Sequence, residues 1–268
     1  MNLLDTVNGL LVDILTHEDL AKGFSELITP DVYNSFKSIM QNVTKPVAYT
    51  ILSLFLLLEL QKAIRLSEGS GSNMAGVEMV LKILFQTVVF KYAIEKSDLI
   101  IEKIYDLSVA LTTDMLGLVS SISTTDAVFE VEELTFGTVL FNGAINGVVM
   151  ILILIITAGI WAYVSVFIKF RMLEIYVYMA IAPIPLATLP HQEFSQIGKN
   201  FLKNYAAVCL QGTLIYLVCY ILPTLANSLQ DDDGQPFSKF LRTVIFLIMT
   251  VYALMSTGKW SKIMTGAA

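Results

Sequence analysis

Few residues of this 268-residue chain have the type and spacing that covalent chemistry needs. The two histidines, His17 and His191, are far apart, and neither has a second ligand at metal spacing, so no metal centre is expected. Cys209 and Cys219 share one apolar stretch, about 15 Å apart along a helix axis. They cannot bridge to each other there and read as small apolar fillers. The glycine-rich run Gly69–Asn73 (GSGSN) lacks the lysine and the flanking strand of a phosphate-binding loop. The chain is therefore expected to have no catalytic residue, no metal and no cofactor. Any work it takes part in must draw its energy from a partner.

The polar residues set inside apolar stretches are more informative. Glu59, Glu102, Asp106 and Asp114 are carboxylates in or beside hydrophobic runs, where such groups avoid lipid. They are candidates for lining a hydrated route, with snorkelling or buried hydrogen bonds as the alternative. Gly143 and Gly147 form a GxxxG step, and Gly159 lies further along the same stretch. Small residues allow close helix approach, within one subunit or between subunits. Asn142 and Asn146 add an amide pair that should face protein. Trp161 reads as an interfacial anchor or a packing contact between subunits. Tyr163, Phe167, Phe170, Tyr176 and Tyr178 follow it around the inner boundary. Pro183, Pro185 and Pro190 cannot all sit in a straight helix. They predict a break near Ala182 and an element that re-enters or skims the membrane. Beyond it, Lys199 and Lys203 form a candidate cytoplasmic loop for a partner.

Composition defines the elements that carry these groups. Hydrophobic residues make up 55% of the chain and charged residues 15%, against about 25% charged in an ordinary soluble domain. A net charge of −6 gives no global basic balance for nucleic acid, and only 2 Cys exclude a disulfide-stapled scaffold. The charge-free intervals Leu134–Ile168 and Asn204–Gln230 each exceed the roughly 20 residues that cross a bilayer. Pro46–Leu58, Leu99–Val119 and Thr243–Gly258 complete five spans. Val77–Ile94 is ambiguous: Glu78, Lys82 and Gln86 recur at i,i+4, as in an interfacial helix or a sixth span. The expected fold is all-α, a polytopic transmembrane helix bundle of five or six spans with the proline-broken element. Residues 1–44 form an N-terminal amphipathic interfacial region, with Leu3, Val7, Leu10 and Ile14 at helical spacing. Residues 45–268 form the transmembrane domain with a short cytoplasmic tail. Asp5 and the lack of a basic first segment argue against a cleaved signal peptide.

The charges then orient the chain. Acidic loops 120–136 and 230–238 read as external. Lys169 with Arg171, Lys199 with Lys203, and Lys259 with Lys262 read as cytoplasmic, as does the C terminus. Five spans place the N terminus outside and six place it inside; the basic-residue balance is close in both.

The stretch GIWAYVSVFIKFRMLEIY (Gly159–Tyr176), the proline-broken YMAIAPIPLATLP (Tyr178–Pro190) and the basic FSQIGKNFLKNYAAVCLQG (Phe194–Gly212) resemble one family. It is the TrbL-like membrane component of bacterial conjugation and type IV secretion machines, in its Gram-positive branch. The resemblance covers residues 45–260, and its most family-like step is Ile181–Ile184. It implies a multi-pass protein of the bacterial cytoplasmic membrane with an external N terminus, about five spans and a cytoplasmic C terminus. It also implies a homo-oligomer that meets cytoplasmic ATPases and external-face secretion subunits and contributes to passage of single-stranded DNA–protein substrates. Two other classes compete. The broken helix suits a small-solute secondary transporter, though the two halves show no repeat. An assembly scaffold of another membrane complex is the second.

Overall fold

The computed structural model describes residues 23–70, 73–119, 144–191, 193–228 and 236–267. The N-terminal helix pattern at 1–22, the acidic loop 120–136, residues 230–235 and the glycine Gly143 lie outside the described residues. Every regular element among the described residues is helical.

Helix α1 (Pro30–Ile39) starts where local chemistry dictates. The Thr29 hydroxyl accepts the Val32 amide at 3.4 Å, Pro30 opens the first turn, and Asp31 sits at the positive end of the helix. A π-turn at Met40–Thr44 carries the helix directly into α2 (Lys45–Ser70), so the backbone does not leave the helix at position 44/45. Helices α3 (Asn73–Glu95) and α4 (Ser97–Val119) are separated only by Lys96. Lys96 closes α3, its amide bonding Tyr92 O at 3.0 Å, and opens α4, its carbonyl accepting the Ile100 amide at 3.1 Å. Residues 77–94 lie within α3.

Helix α5 (Ala144–Ile181) ends at the prolines. Pro183 offers no amide to Met179 O, and the Ala182 amide takes that carbonyl instead in a tighter turn at 3.4 Å. The short α6 (Pro183–Ala187) follows, then turns through Thr188 and His191, then α7 (Ser195–Ser228) and α8 (Pro236–Thr265). The break expected near Ala182 is present. By length and composition, Pro30–Arg65 and Ser195–Val218 suffice to cross a membrane.

The described residues divide between two compact units. One draws on Ser108–Arg171 and Leu210–Ser261. Here Thr213 of α7 meets Ser108 and Thr112 of α4, with hydroxyl oxygens 3.3 and 3.0 Å apart. Gln211 Nε2 donates to Thr257 Oγ1 of α8 at 3.4 Å. Such hydroxyl and amide contacts join apolar helices without exposing polar atoms to hydrocarbon. Gly212 leaves room for the Arg171 guanidinium against α7: a Cβ there would lie 2.5 Å from Arg171 Nη1. Arg171, grouped with Lys169 from sequence, is buried, whereas Lys169 is exposed.

The other unit draws on Gly23–Leu107, Met172–Cys209 and Lys262–Ala268. The Lys45 ammonium, at the start of α2, donates to Glu95 O at the end of α3 at 2.7 Å, so the two helices lie antiparallel. Their interior holds Ala48, Leu52 and Ile94 together with Leu186 and Ala187 from α6. The Thr44 hydroxyl donates to Ala180 O at 2.7 Å, which fastens the π-turn to the end of α5. Tyr176 is fully buried among Phe24, Tyr33 and Phe36, and its hydroxyl donates to Phe24 O at 2.9 Å. It serves as core here and not as the boundary aromatic that its sequence neighbourhood suggested.

Candidate functional site: the cleft between α2, α3 and the proline-broken tip

The segment after Pro183 descends along α2 in the same direction as that helix. Leu186 and Ala187 pack beside Ala48 and Leu52, and His191 reaches Glu59. From Thr44 to Glu59 this covers about 22 Å of helix. Helix α7 then returns antiparallel, with Tyr178 against Phe201 and Tyr205 at ring-centre distances of 5.4 and 5.8 Å. Gly198 permits that return, because a Cβ there would sit 2.6 Å from both the Leu189 side chain and Pro185 O.

A cleft of about 380 Å³ opens where this tip meets α2 and α3. Leu52, Phe55, Glu59 and Lys62 recur at i,i+3 and i,i+4 along one face of α2 and line it. Glu78, Lys82 and Gln86 line it from α3, so the polar stripe noted at i,i+4 in the sequence faces the cleft. Pro190 and His191 close it from the tip. Gln86 Nε2 donates to Pro190 O at 3.2 Å, which satisfies a carbonyl that the broken helix leaves without an intrahelical partner.

Glu59 and His191 form the electrostatic centre. Glu59 Oε1 lies 3.6 Å from His191 Nε2, with side-chain exposures of 15% and 9%. The Glu193 amide donates to His191 Nδ1 at 3.2 Å, which leaves Nε2 as the ring nitrogen on the Glu59 side. Phe55, His191 and Phe194 stack as a triangle with ring centres 5.0 to 5.3 Å apart. Little water reaches the pair, so its attraction is less screened than that of a surface pair. The chemistry available is the holding of charge and of an amphiphilic ligand.

The other sequence candidates do not join this cleft. Glu102 is half-buried elsewhere on α4, and Asp114 is exposed. Asp106 pairs with Lys103 at 2.8 Å in a surface contact with side chains 45% and 75% exposed. Gly147 lies on α5, Gly159 faces open space, and Trp161 is half-buried. Pro183 is buried, and Pro185 and Pro190 are half-buried. Lys199 and Lys203 lie on the first turns of α7 and not in a loop. Both are exposed, and Lys203 Nζ donates to Gly266 O at 3.4 Å.

Sequence reasoning set His191 aside because it has no ligand nearby in the chain. Its position directly after Pro190 was the available signal, since the break aims it back at α2. Comparison with curated proteins and with solved structures found no match. The family of TrbL/VirB6 plasmid conjugal transfer like proteins matches residues 20–183, which takes in α1 to α5, Glu59 and the polar stripe of α3. With more than half of its length matched, the chain belongs to the TrbL/VirB6 plasmid conjugal transfer-like family.

Proposed function

We propose that this conjugal transfer component is a non-enzymatic, homo-oligomeric membrane subunit of a type IV secretion machine. It helps form the conduit for DNA–protein substrates and meets cytoplasmic ATPases and external-face subunits. The family match over residues 20–183 carries this reading. We read five crossings, as the family's layout implies, with Pro30–Ser70 one unbroken helical path and α3 and α4 together the second crossing. Residues 77–94 then form the inner-leaflet part of that crossing, beside α2, instead of a sixth span. The N terminus is external and the C terminus cytoplasmic. The charged end of the α2/α3 pair, with Lys62 and Lys82, lies at the cytoplasmic side beside the tip, in keeping with the excess of basic residues there.

Lys199 extends into solvent one helical turn from Lys203 and is placed to meet a cytoplasmic partner. Charges of this kind set encounter and orientation more than affinity. Lys199→Glu should lower transfer about tenfold, with membrane level and oligomer size unchanged; the double change with Lys203→Glu should go further. Mating assays beside native-size electrophoresis test this. Normal transfer by both variants at normal protein level would remove the docking role.

A further inference from the structure

The cleft between α2 and α3 changes character along its length. At one end, toward the close of α2 and the start of α3, Glu59, Lys62, Glu78 and Lys82 gather. Toward the other end its walls are Leu52, Phe55 and Ile83, together with Gln86 and Thr87, whose side chains are bonded to Pro190 O and Ile83 O, and His191 at the tip. The outer edge of α3 repeats the pattern. Glu78 and Lys82 are followed on the same edge, at i+7 and i+11 from Glu78, by Phe85 and Val89, which are 73% and 47% exposed. Glu59 is engaged with His191. Lys62, Lys82 and Glu78 make no ion pair among the described residues. Among the described residues, two ammonium groups and one carboxylate without an ion-pair partner thus stand at the head of this trough.

We propose that this cleft binds one aminophospholipid of the cytoplasmic leaflet. Lys62 and Lys82 hold its phosphate, Glu78 receives its ammonium group, and an acyl chain runs along Leu52, Phe55 and Ile83. The sign of each charge matches a group of the lipid. The direction also agrees, because the charged end lies where the positive-inside rule puts cytoplasm and the apolar end leads away from it. A soluble anion would leave the trough empty, and a plain hydrocarbon would leave three charges without partners. The proposal rests on the reading of the α2/α3 pair as meeting the bilayer with its charged end at the cytoplasmic side.

The test uses the full chain in detergent, with native mass spectrometry as readout. Phosphatidylethanolamine, phosphatidylglycerol and inorganic phosphate are the probes. One phosphatidylethanolamine per chain should be retained, and millimolar inorganic phosphate should not displace it. Each lysine near a membrane surface is worth about 5-fold in binding, so Lys62→Gln with Lys82→Gln should weaken retention about 30-fold. Lys62→Arg with Lys82→Arg should keep it, which separates lost charge from lost folding. Glu78→Gln should abolish the preference for phosphatidylethanolamine over phosphatidylglycerol. Equal retention by the glutamine pair and the unaltered chain overturns the proposal. Displacement by inorganic phosphate, or many lipids bound without saturation, overturns it as well. A cysteine at Leu81, probed with a water-soluble maleimide in vesicles, separates the two readings. Labelling there defeats the membrane placement of α3, whereas protection together with unaltered lipid retention defeats the lipid site alone.

Discussion

Gly198→Ala offers the sharpest test of how the proline-broken tip is held. The added Cβ would begin 2.6 Å from Leu189 Cδ2, Leu189 Cγ and Pro185 O, where ordinary contact starts at 3.4 Å. A leucine tip can rotate away, but Pro185 O is backbone in a segment already packed on α2. The tip must therefore lift from α7 or α7 must bend. Overpacking of this kind costs about 1–3 kcal/mol. In a chain of this size each kcal/mol lowers Tm by about 2–4 °C, so the expected drop is about 2–12 °C. Gly159→Ala is the internal control, since no atom lies within 4 Å of its Cβ position. It should leave Tm unchanged or raise it by up to about 4 °C through the better helix propensity of alanine, about 1 kcal/mol. Leu189→Ala in the Gly198→Ala background should restore only part of the loss, because the clash with Pro185 O remains. Thermal unfolding in detergent, followed by the loss of the monodisperse peak on size-exclusion, measures all three. A Gly198→Ala protein that melts with the unaltered chain would refute the close packing of α7 on the tip.

Two further expectations concern helix contacts and topology. Thr213→Val should remove the hydroxyl that bridges Ser108 and Thr112 and destabilise the protein by about 0.6–2 kcal/mol, whereas Thr113→Val, whose hydroxyl bonds only its own helix at Val109 O, should have a smaller effect; equal Tm changes would contradict the bridge. In a background lacking Cys209 and Cys219, a cysteine at Ser70 should resist external labelling and one at Ser121 should accept it, as five crossings require; external labelling at Ser70 would restore the six-span count.

Much of the architecture was legible in the residues. Proline lacks an amide and clashes with the preceding turn, so Pro183 and Pro185 predict the end of α5 from local covalent chemistry alone. The start of α1 at Thr29-Pro30-Asp31 was not read from the sequence, although its capping chemistry is equally local. The i,i+4 stripe Glu78, Lys82, Gln86 was visible as a polar line, although its partner was not. Val77–Ile94 stayed ambiguous because its apolar content suits a span. In the structure it lies within α3, which pairs with α2 and is followed after Lys96 by α4. Lys199 and Lys203 read as a loop because they follow a proline cluster. The turn at Thr188–Glu193 is short enough for α7 to begin before them.

Composition, charge-free length and the placement of prolines point by themselves to a helical chain with membrane-spanning stretches, broken after Ala182. They act locally or in aggregate, so no knowledge of neighbours is needed. Only the tertiary structure decides which carboxylate matters. Glu59, Glu102, Asp106 and Asp114 look equivalent in sequence, yet Glu59 alone meets His191, more than a hundred residues away in the chain. Apart from the polar line on α3, apolar residues lie nearly all round α2 and α3, so no apolar stripe announces which face packs inward. Their rotation is set instead by long-range contacts: Ala48 and Leu52 on α6, Gln86 on Pro190 O and Phe55 on the His191 ring. Those contacts exist only once the broken tip has folded back along α2.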